Sequence, residues 1–157
     1  MRDAQAALDA LAVTDDRGTV AIPSDGVLDI APTKVGGLNV VRFDGLTSGL
    51  RGNVNLGGGG NAATVVILRV DGKMDFRARS AINLVDGLTA DHVIVYVRGK
   101  KAELGDFAYL PGSIYALGKV KLGAGLVIEG QIFGRNKKIK LGDQMTGIAV
   151  PNQIVLP

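Results

Sequence analysis

A repeat is visible between residues 111 and 134, which read PGSIYALGKVKLGAGLVIEGQIFG. The segment at 112–115 recurs eighteen residues later, at 130–133. The segment at 120–123 recurs nineteen residues later, at 139–142. A period near 18 is shorter than that of helical repeats, which is about 33 residues or more. It is typical of a β-solenoid, in which each coil contributes short strands that hydrogen-bond to the neighbouring coils.

The repeat also predicts which side chains face the core, because side chains alternate between the two sides of a strand. Two inward ladders are expected, one of Tyr96, Ile114 and Ile132 and one of Leu104, Leu122 and Leu141. Tyr115 and Phe133 then point outward as a candidate aromatic pair. This pair is either covered by another element or open to a partner.

Short segments rich in valine and isoleucine predict further strands along most of the chain. They lie at residues 19–22, 27–30, 38–43, 53–56, 63–70, 92–97, 113–116, 119–122, 131–133, 138–141 and 147–150. Residues 2–12 differ, because they form one apolar stripe at helical spacing, which consists of Ala4, Ala7, Leu8 and Leu11. A helix this short needs a surface to pack on, so we expect the stripe to dock on a sheet.

Together these patterns predict an all-β fold. We expect a right-handed β-solenoid that is irregular, with about 18 residues per coil and one short N-terminal flanking α-helix. A single domain is expected to cover residues 1–157. Within it, residues 2–12 form the helix, 13–90 form irregular coils, and 91–157 form regular coils and a closing strand.

Composition excludes several classes of protein. The chain has 157 residues and no cysteine, which excludes a disulfide framework and cysteine-based metal or redox sites. The net charge of +3 is too small to indicate nucleic-acid binding. No apolar run reaches the length of about 18 residues that a transmembrane helix needs. Residues 1–4 also lack the apolar stretch that begins a signal peptide.

Residue types that carry catalysis or bind metals are sparse. His92 is the single histidine, so no second imidazole can share a metal ion with it. A serine nucleophile activated by a histidine base is likewise not indicated by the sequence. Glu103 and Glu129 are the two glutamates, and the aspartates do not form the spaced pattern of a calcium loop. We therefore expect neither enzymatic activity nor a cofactor.

Lysines recur in the register of the repeat. Lys101, Lys119 and Lys138 fall in one row, and Lys121 and Lys140 fall in the next. One interpretation is a binding stripe for an anionic polymer or an acidic partner. The other is a solvated face on which lysines discourage pairing with strands of other chains. No aromatic side chains are interleaved with these lysines, which argues against single-stranded nucleic acid as the ligand.

Several blocks of sequence together resemble a known family. They are LNVVRFDGL (38–46), ATVVILRVDG (63–72), DHVIVYVRG (91–99) and, in the repeat, PGSIYA (111–116) and GQI (130–132). In this order they resemble the choice-of-anchor A domain of bacterial surface proteins, which is related to collagen-binding modules. The architecture of that family is similar to that of ice-binding β-solenoids with a helix alongside. The resemblance implies a non-enzymatic protein that is secreted or displayed at the cell surface.

The expected function is that of a structural or adhesive module of a bacterium. Such a module would bind extracellular matrix, an anionic polysaccharide or copies of itself. Two alternatives stay open, a self-polymerising filament or lattice subunit and an ice- or carbohydrate-binding module. Thr47, Thr64, Thr89 and Thr146 keep no regular period, which disfavours an ice-binding face of evenly spaced threonines. Residues 148–157 are expected either to pair back on their own solenoid or to add a strand to a neighbouring subunit. The second arrangement would produce self-association through the solenoid ends.

Overall fold

The computed structural model describes residues 2–135, 139–140, 142 and 146–149, and among these the side chains of 4–135, 139–140 and 142. The elements are α1 (Arg2–Ala10), a 3₁₀ turn at Ala90–His92, and the strands β1 (Asp15–Asp16), β2 (Thr19–Ile22), β3 (Val27–Ile30), β4 (Leu38–Phe43), β5 (Gly45–Ser48), β6 (Asn53–Gly57), β7 (Val65–Val70), β8 (Met74–Phe76), β9 (Ala81–Val85), β10 (Val93–Val97), β11 (Lys101–Leu104), β12 (Tyr109–Pro111), β13 (Ser113–Ala116), β14 (Lys119–Leu122), β15 (Val127–Gly134), β16 (Ile139–Lys140) and β17 (Thr146–Ala149).

The strands wind into coils with three faces. In each coil the chain runs along face A, then face B, then face C, and strands of successive coils pair in parallel. Face A holds β1, β4, β7, β10, β13 and the end of β15. Face B holds β2, β5, β8, β11, β14 and β16, and face C holds β3, β6, β9, β12, the start of β15 and β17. The fold is therefore the predicted β-solenoid with one short helix.

The earlier coils are longer than the later ones. Strand β4 pairs with β7 at a separation of 27 residues, whereas β13 pairs with β15 at a separation of 18. The extra residues form loops between face C and face A, at 31–37, 58–64 and 86–92. Between β12 and β13, Gly112 makes this turn alone with a φ of 122°, a conformation that other residues rarely adopt. The period of about 18 therefore describes only the later coils.

An aliphatic core fills the space between the three faces. On face A the inward row consists of Val41, Leu68, Val95, Ile114 and Ile132, which pair from coil to coil and are all buried. Apolar side chains of faces B and C complete the same cluster. Burial of such side chains supplies the main free energy that holds the coils together.

The predicted place of Tyr96 in this core is wrong. Ile114 pairs with Val95, whereas Tyr96 pairs with Tyr115 and points outward. The coil between β10 and β13 is one residue longer than the 18-residue spacing used in the prediction. Because side chains alternate along a strand, a slip of one residue moves a side chain to the opposite side.

The second predicted ladder agrees with the structure where it is described. Leu104 pairs with Leu122, and both side chains are buried in the core. Leu141 lies outside the described residues. Strand β17 pairs with β15 of the preceding coil, and residues 150–157 lie outside the described part of the chain.

The helix is too short to cross a membrane. It has nine residues, and no other helix in the described residues is long and apolar enough for a membrane span.

Candidate functional site

Face A is covered by the N-terminal helix. Leu8 of the helix is buried in an apolar cluster with Val40, Ile67, Ile94, Tyr96, Tyr115 and Phe133. Ala4 and Leu11 are partly buried against the same cluster. The predicted docking of Ala4, Leu8 and Leu11 on a sheet is confirmed, whereas Ala7, which was predicted to belong to the same stripe, is exposed.

The predicted aromatic pair lies within this packing. Tyr115 and Phe133 stand in register one coil apart, their ring centroids are 6.1 Å apart, and they are 1% and 6% exposed. Tyr96 meets Tyr115 edge-on at 5.6 Å. The hydroxyl of Tyr96 donates a hydrogen bond to Asp9 of the helix at 2.7 Å, and burial raises the pKa of that hydroxyl. Tyr96, Tyr115 and Phe133 therefore anchor the helix on face A.

An arginine–aspartate network borders the covered face. Arg42 and Arg69 are stacked one coil apart, an arrangement that is unfavourable for like charges. Asp71 compensates for it by accepting hydrogen bonds from Arg42 at 2.7 Å, from Arg69 at 2.9 Å and from Arg98 at 3.1 Å. Partial burial would raise the pKa of Asp71, but these three hydrogen bonds outweigh it and lower the pKa. Arg98 also contacts Asp9 at 3.2 Å, which ties the network to the helix.

Asp71→Asn is expected to destabilise the fold by about 1.5–3 kcal/mol near neutral pH, because hydrogen bonds to a charged group contribute about that much. The folded-state pKa of Asp71 is depressed, so its contribution is present above the unfolded-state pKa of about 3.9 and is lost as the pH falls through the folded-state pKa. Urea unfolding of the parent protein and of Asp71→Asn across the acidic pH range measures their difference in stability. A difference in stability that is the same at neutral pH and well below the unfolded-state pKa would contradict the assignment.

Face B carries the predicted basic stripe at its C-terminal end. The structure places Lys101 beside Lys119 and Lys121 beside Lys140, whereas Lys138 lies outside the described residues. The carboxylate of Glu103 contacts Lys101 Nζ at 2.5 Å and Lys121 Nζ at 3.4 Å. The hydrogen bond from Lys101 is the main cause of the lowered pKa of Glu103.

The N-terminal end of face B is uncharged. Its outward residues there are Thr19, Ala21, Gly45 and Thr47, which pair between the first two coils. The next coil introduces Lys73 and Asp75, whose side chains form an ion pair at 2.9 Å. Small, uncharged residues therefore cover only two of the coils on this face.

Face C is largely uncharged along its whole described length. Its outward residues are Val27, Asp29, Asn53, Asn55, Ala81, Asn83, Val85, Tyr109, Val127 and Glu129. None of these is lysine or arginine. The inward neighbours, such as Val54, Ile82 and Leu110, are buried in the core, so the outward set is the solvent side of a regular sheet.

A side-chain ladder runs across face C. Asn55 donates from Nδ2 to Asp29 Oδ1 at 3.0 Å, and Asn83 donates from Nδ2 to Asn55 Oδ1 at 3.3 Å. The three residues pair directly in successive coils. The ladder fixes the orientation of two amides and one carboxylate at the spacing of the strands, which is about 4.8 Å.

Sequence reasoning missed this row. Asn55 and Asn83 are 28 residues apart, so a search at a spacing of 18 residues does not align them. The available signal is the alternation in NVN at 53–55 and INL at 82–84, which places each asparagine next to inward-facing apolar residues.

The described residues contain no cluster of metal-ligating side chains. In this part of the chain, no three histidine, aspartate or glutamate side chains converge in a way that could hold a metal ion. His92 lies in the 3₁₀ turn, and its Nδ1 atom is buried without a hydrogen-bond partner.

Comparison with known proteins identifies relatives of this architecture. The model of the Ice-binding-like family matches residues 1–146. The crystal structure of an ice-binding protein from the Antarctic ascomycete Antarctomyces psychrotrophicus is similar with a TM-score of 0.72 and 23% identity, over 98% of this chain and 68% of that one. An ice-binding protein from an Antarctic biological consortium gives a TM-score of 0.71 and 18% identity, over 94% and 62%. An ice-binding protein domain of Shewanella frigidimarina gives 0.54 and 20%, over 89% and 51%. No curated protein matches the sequence.

These matches show that the predicted relation to the choice-of-anchor A domain is wrong. The family model that matches spans nearly the whole chain and is a different one. The PGSI and GQI segments behind the prediction lie where the chain turns from face C to face A in two successive short coils. They reflect the geometry of stacked coils, a property that unrelated solenoids share.

Proposed function

The chain belongs to the Ice-binding-like family, which is non-enzymatic, and we propose that it binds ice through face C. The similar solved structures are ice-binding proteins by their descriptions. Because their identities to this chain are 23% or less, these structures support the shared fold alone, and the proposal rests on the family and on the surface of this chain.

The Asp29–Asn55–Asn83 ladder is the observation that carries the choice of face. Its amide and carboxylate groups are held in one row by their mutual hydrogen bonds, so little side-chain entropy is lost when water orders against them. The neighbouring outward residues Val27 and Ala81 are apolar and hold water weakly. Asn53 lies between Val27 and Ala81 in this neighbouring row. A rigid row of hydrogen-bonding groups beside partly apolar neighbours suits ordered water better than liquid water.

Faces A and B are less suitable for binding ice than face C. Face A is covered by the helix through the buried side chain of Leu8. Face B presents Lys101, Lys119 and Lys121, and a lysine ammonium is strongly hydrated and mobile. Such groups compete with an ice lattice for water, which supports face C as the ice-binding surface.

Ice is the proposed partner in place of the extracellular matrix expected from the sequence. We propose that the protein acts outside the cell, as ice-binding proteins typically do. This chain spans 68%, 62% and 51% of the three similar structures, so the activity of a whole protein of this kind is part of the proposal. Self-association through the solenoid ends stays a prediction.

The function is tested by measuring thermal hysteresis, the gap between the melting and freezing points of a single ice crystal in a solution of the protein. We call this difference the freezing gap. We expect a gap that grows with protein concentration and crystals with flat facets, because adsorbed protein blocks growth at the ice surface. The heat-unfolded chain, which has lost the sheet face, is the control. A freezing gap no larger than that of the unfolded control would refute ice binding.

A further inference from the structure

A groove with a cationic lining runs along the corner between faces A and B. It has a volume of about 670 Å³ and is lined by Arg98, Gly99, Lys100, Lys101, Leu117, Gly118 and Lys119. No acidic residue belongs to this lining. We infer that the groove is a binding site for an acidic polysaccharide, separate from the proposed ice-binding face.

Backbone atoms form the floor of the groove. A Cβ atom on Gly99 would lie 1.8 Å from the carbonyl oxygen of Gly72, and one on Gly118 would lie 2.3 Å from that of Lys100. Side chains are therefore excluded from the corner itself. The Cβ positions of both glycines are filled by the backbone of the preceding coil, so the charged groups of the groove come from the neighbouring arginine and lysines.

The cations of the groove are unequally neutralised. Arg98 is held by Asp9 and Asp71, and Lys101 by Glu103. Lys100 and Lys119 are exposed and take part in none of the ion pairs among the described residues. These two lysines belong to successive coils, and the amide of Lys119 hydrogen-bonds to the carbonyl of Lys100. Their charges are available to a ligand.

The groove at the corner between faces B and C provides an internal comparison. It is of similar size, about 560 Å³, but its lining includes Asp75, Glu103 and Asp106 as well as Arg77 and Lys121. Charges of both signs offset one another there. Of these two grooves, the one at the A–B corner carries the excess of positive charge.

A polysaccharide fits the groove better than the other common polyanions. Lys101 and Lys119 stand in register at the coil spacing of about 4.8 Å, which matches a stiff chain with regularly repeated charges. The lining holds no aromatic ring on which nucleobases could stack. Leu117 is the one apolar side chain in the lining, so an acidic peptide finds no deep pocket for an anchoring residue.

The test is calorimetric titration of the whole chain with alginate oligosaccharides, which are polyuronates, at low salt. Two doubly substituted proteins lose the same charge: Lys100→Gln with Lys119→Gln in the groove, and Lys34→Gln with Arg77→Gln at other exposed positions. We expect binding that weakens as salt is added. The groove variant should bind about tenfold more weakly, since exposed ion pairs contribute modestly, and the control variant should bind like the parent.

Three results would overturn the inference. They are the absence of alginate binding to the parent chain, an equal loss of affinity in both variants, and equal or tighter binding of polyglutamate or single-stranded DNA. The second result would show diffuse attraction by net charge, and the third would show a different class of ligand. Neutral dextran should not bind, and its binding with equal affinity would also contradict a site built on charge.

Discussion

Phe43→Ala is expected to lower the free energy of unfolding by about 3–5 kcal/mol, the range for removing a buried phenylalanine side chain. Phe43 is 0% exposed and belongs to the main core cluster. It pairs with Val70 of the next coil, so its removal leaves a cavity between two stacked coils that a rigid sheet closes poorly. Urea unfolding followed by circular dichroism measures the change.

Phe107→Ala is the matched control for that measurement. Phe107 is 58% exposed, and its ring lies against Arg79, 5.7 Å from the guanidinium carbon. Removing an exposed ring with one cation contact should cost about 1 kcal/mol or less. If the two substitutions had equal effects, the interior assigned to the solenoid would be wrong.

Asn55→Lys is expected to reduce the freezing gap to the level of a protein that does not bind ice. Asn55 is the middle member of the ladder on face C, and it both donates to Asp29 and accepts from Asn83. A lysine there ends the ladder and projects a strongly hydrated ammonium from the sheet. The fold should survive, because a lysine stem can lie along the sheet and the lost hydrogen bonds contribute about 1 kcal/mol.

Thr47→Lys is the control for the choice of face. Thr47 points outward on face B between Ala21 and Asp75 of the neighbouring coils. The substitution adds the same side chain and the same charge on a different face, next to a carboxylate that can pair with it. The freezing gap of this variant should equal that of the parent.

The sequence predicts much of this fold because segments rich in valine and isoleucine mark strands such as β2, β3 and β4, and because the later coils repeat without insertions. Strands β13 and β14 are predicted with correct bounds, and Leu104 is placed over Leu122. Strands β1, β5, β8, β9, β11 and β12 are not predicted. They have five residues or fewer, and each includes a residue that is uncommon in strands, namely glycine, proline, lysine, aspartate or asparagine. One extra residue in the coil after β10 is enough to reverse the predicted direction of Tyr96.

The candidate ice-binding face was harder to predict than the fold. The search for evenly spaced threonines gave no support for ice binding, and the structure shows why. Thr64 is buried, Thr89 lies in a loop, and Thr47 lies on face B. The loops inserted between faces C and A change the spacing from 18 to 28 residues, which separates Asn55 from Asn83 in the sequence although they are adjacent in the sheet.

The choice of face is tested most directly by growing one ice crystal from a solution that contains both lysine variants, each carrying a dye of a different colour. The fluorescence of each dye in the ice, divided by that in the liquid, gives the adsorption of each variant under identical conditions. The proposal predicts that Thr47→Lys is incorporated into the ice and that Asn55→Lys stays in the liquid. Incorporation of Asn55→Lys with exclusion of Thr47→Lys would contradict it and would assign ice binding to face B.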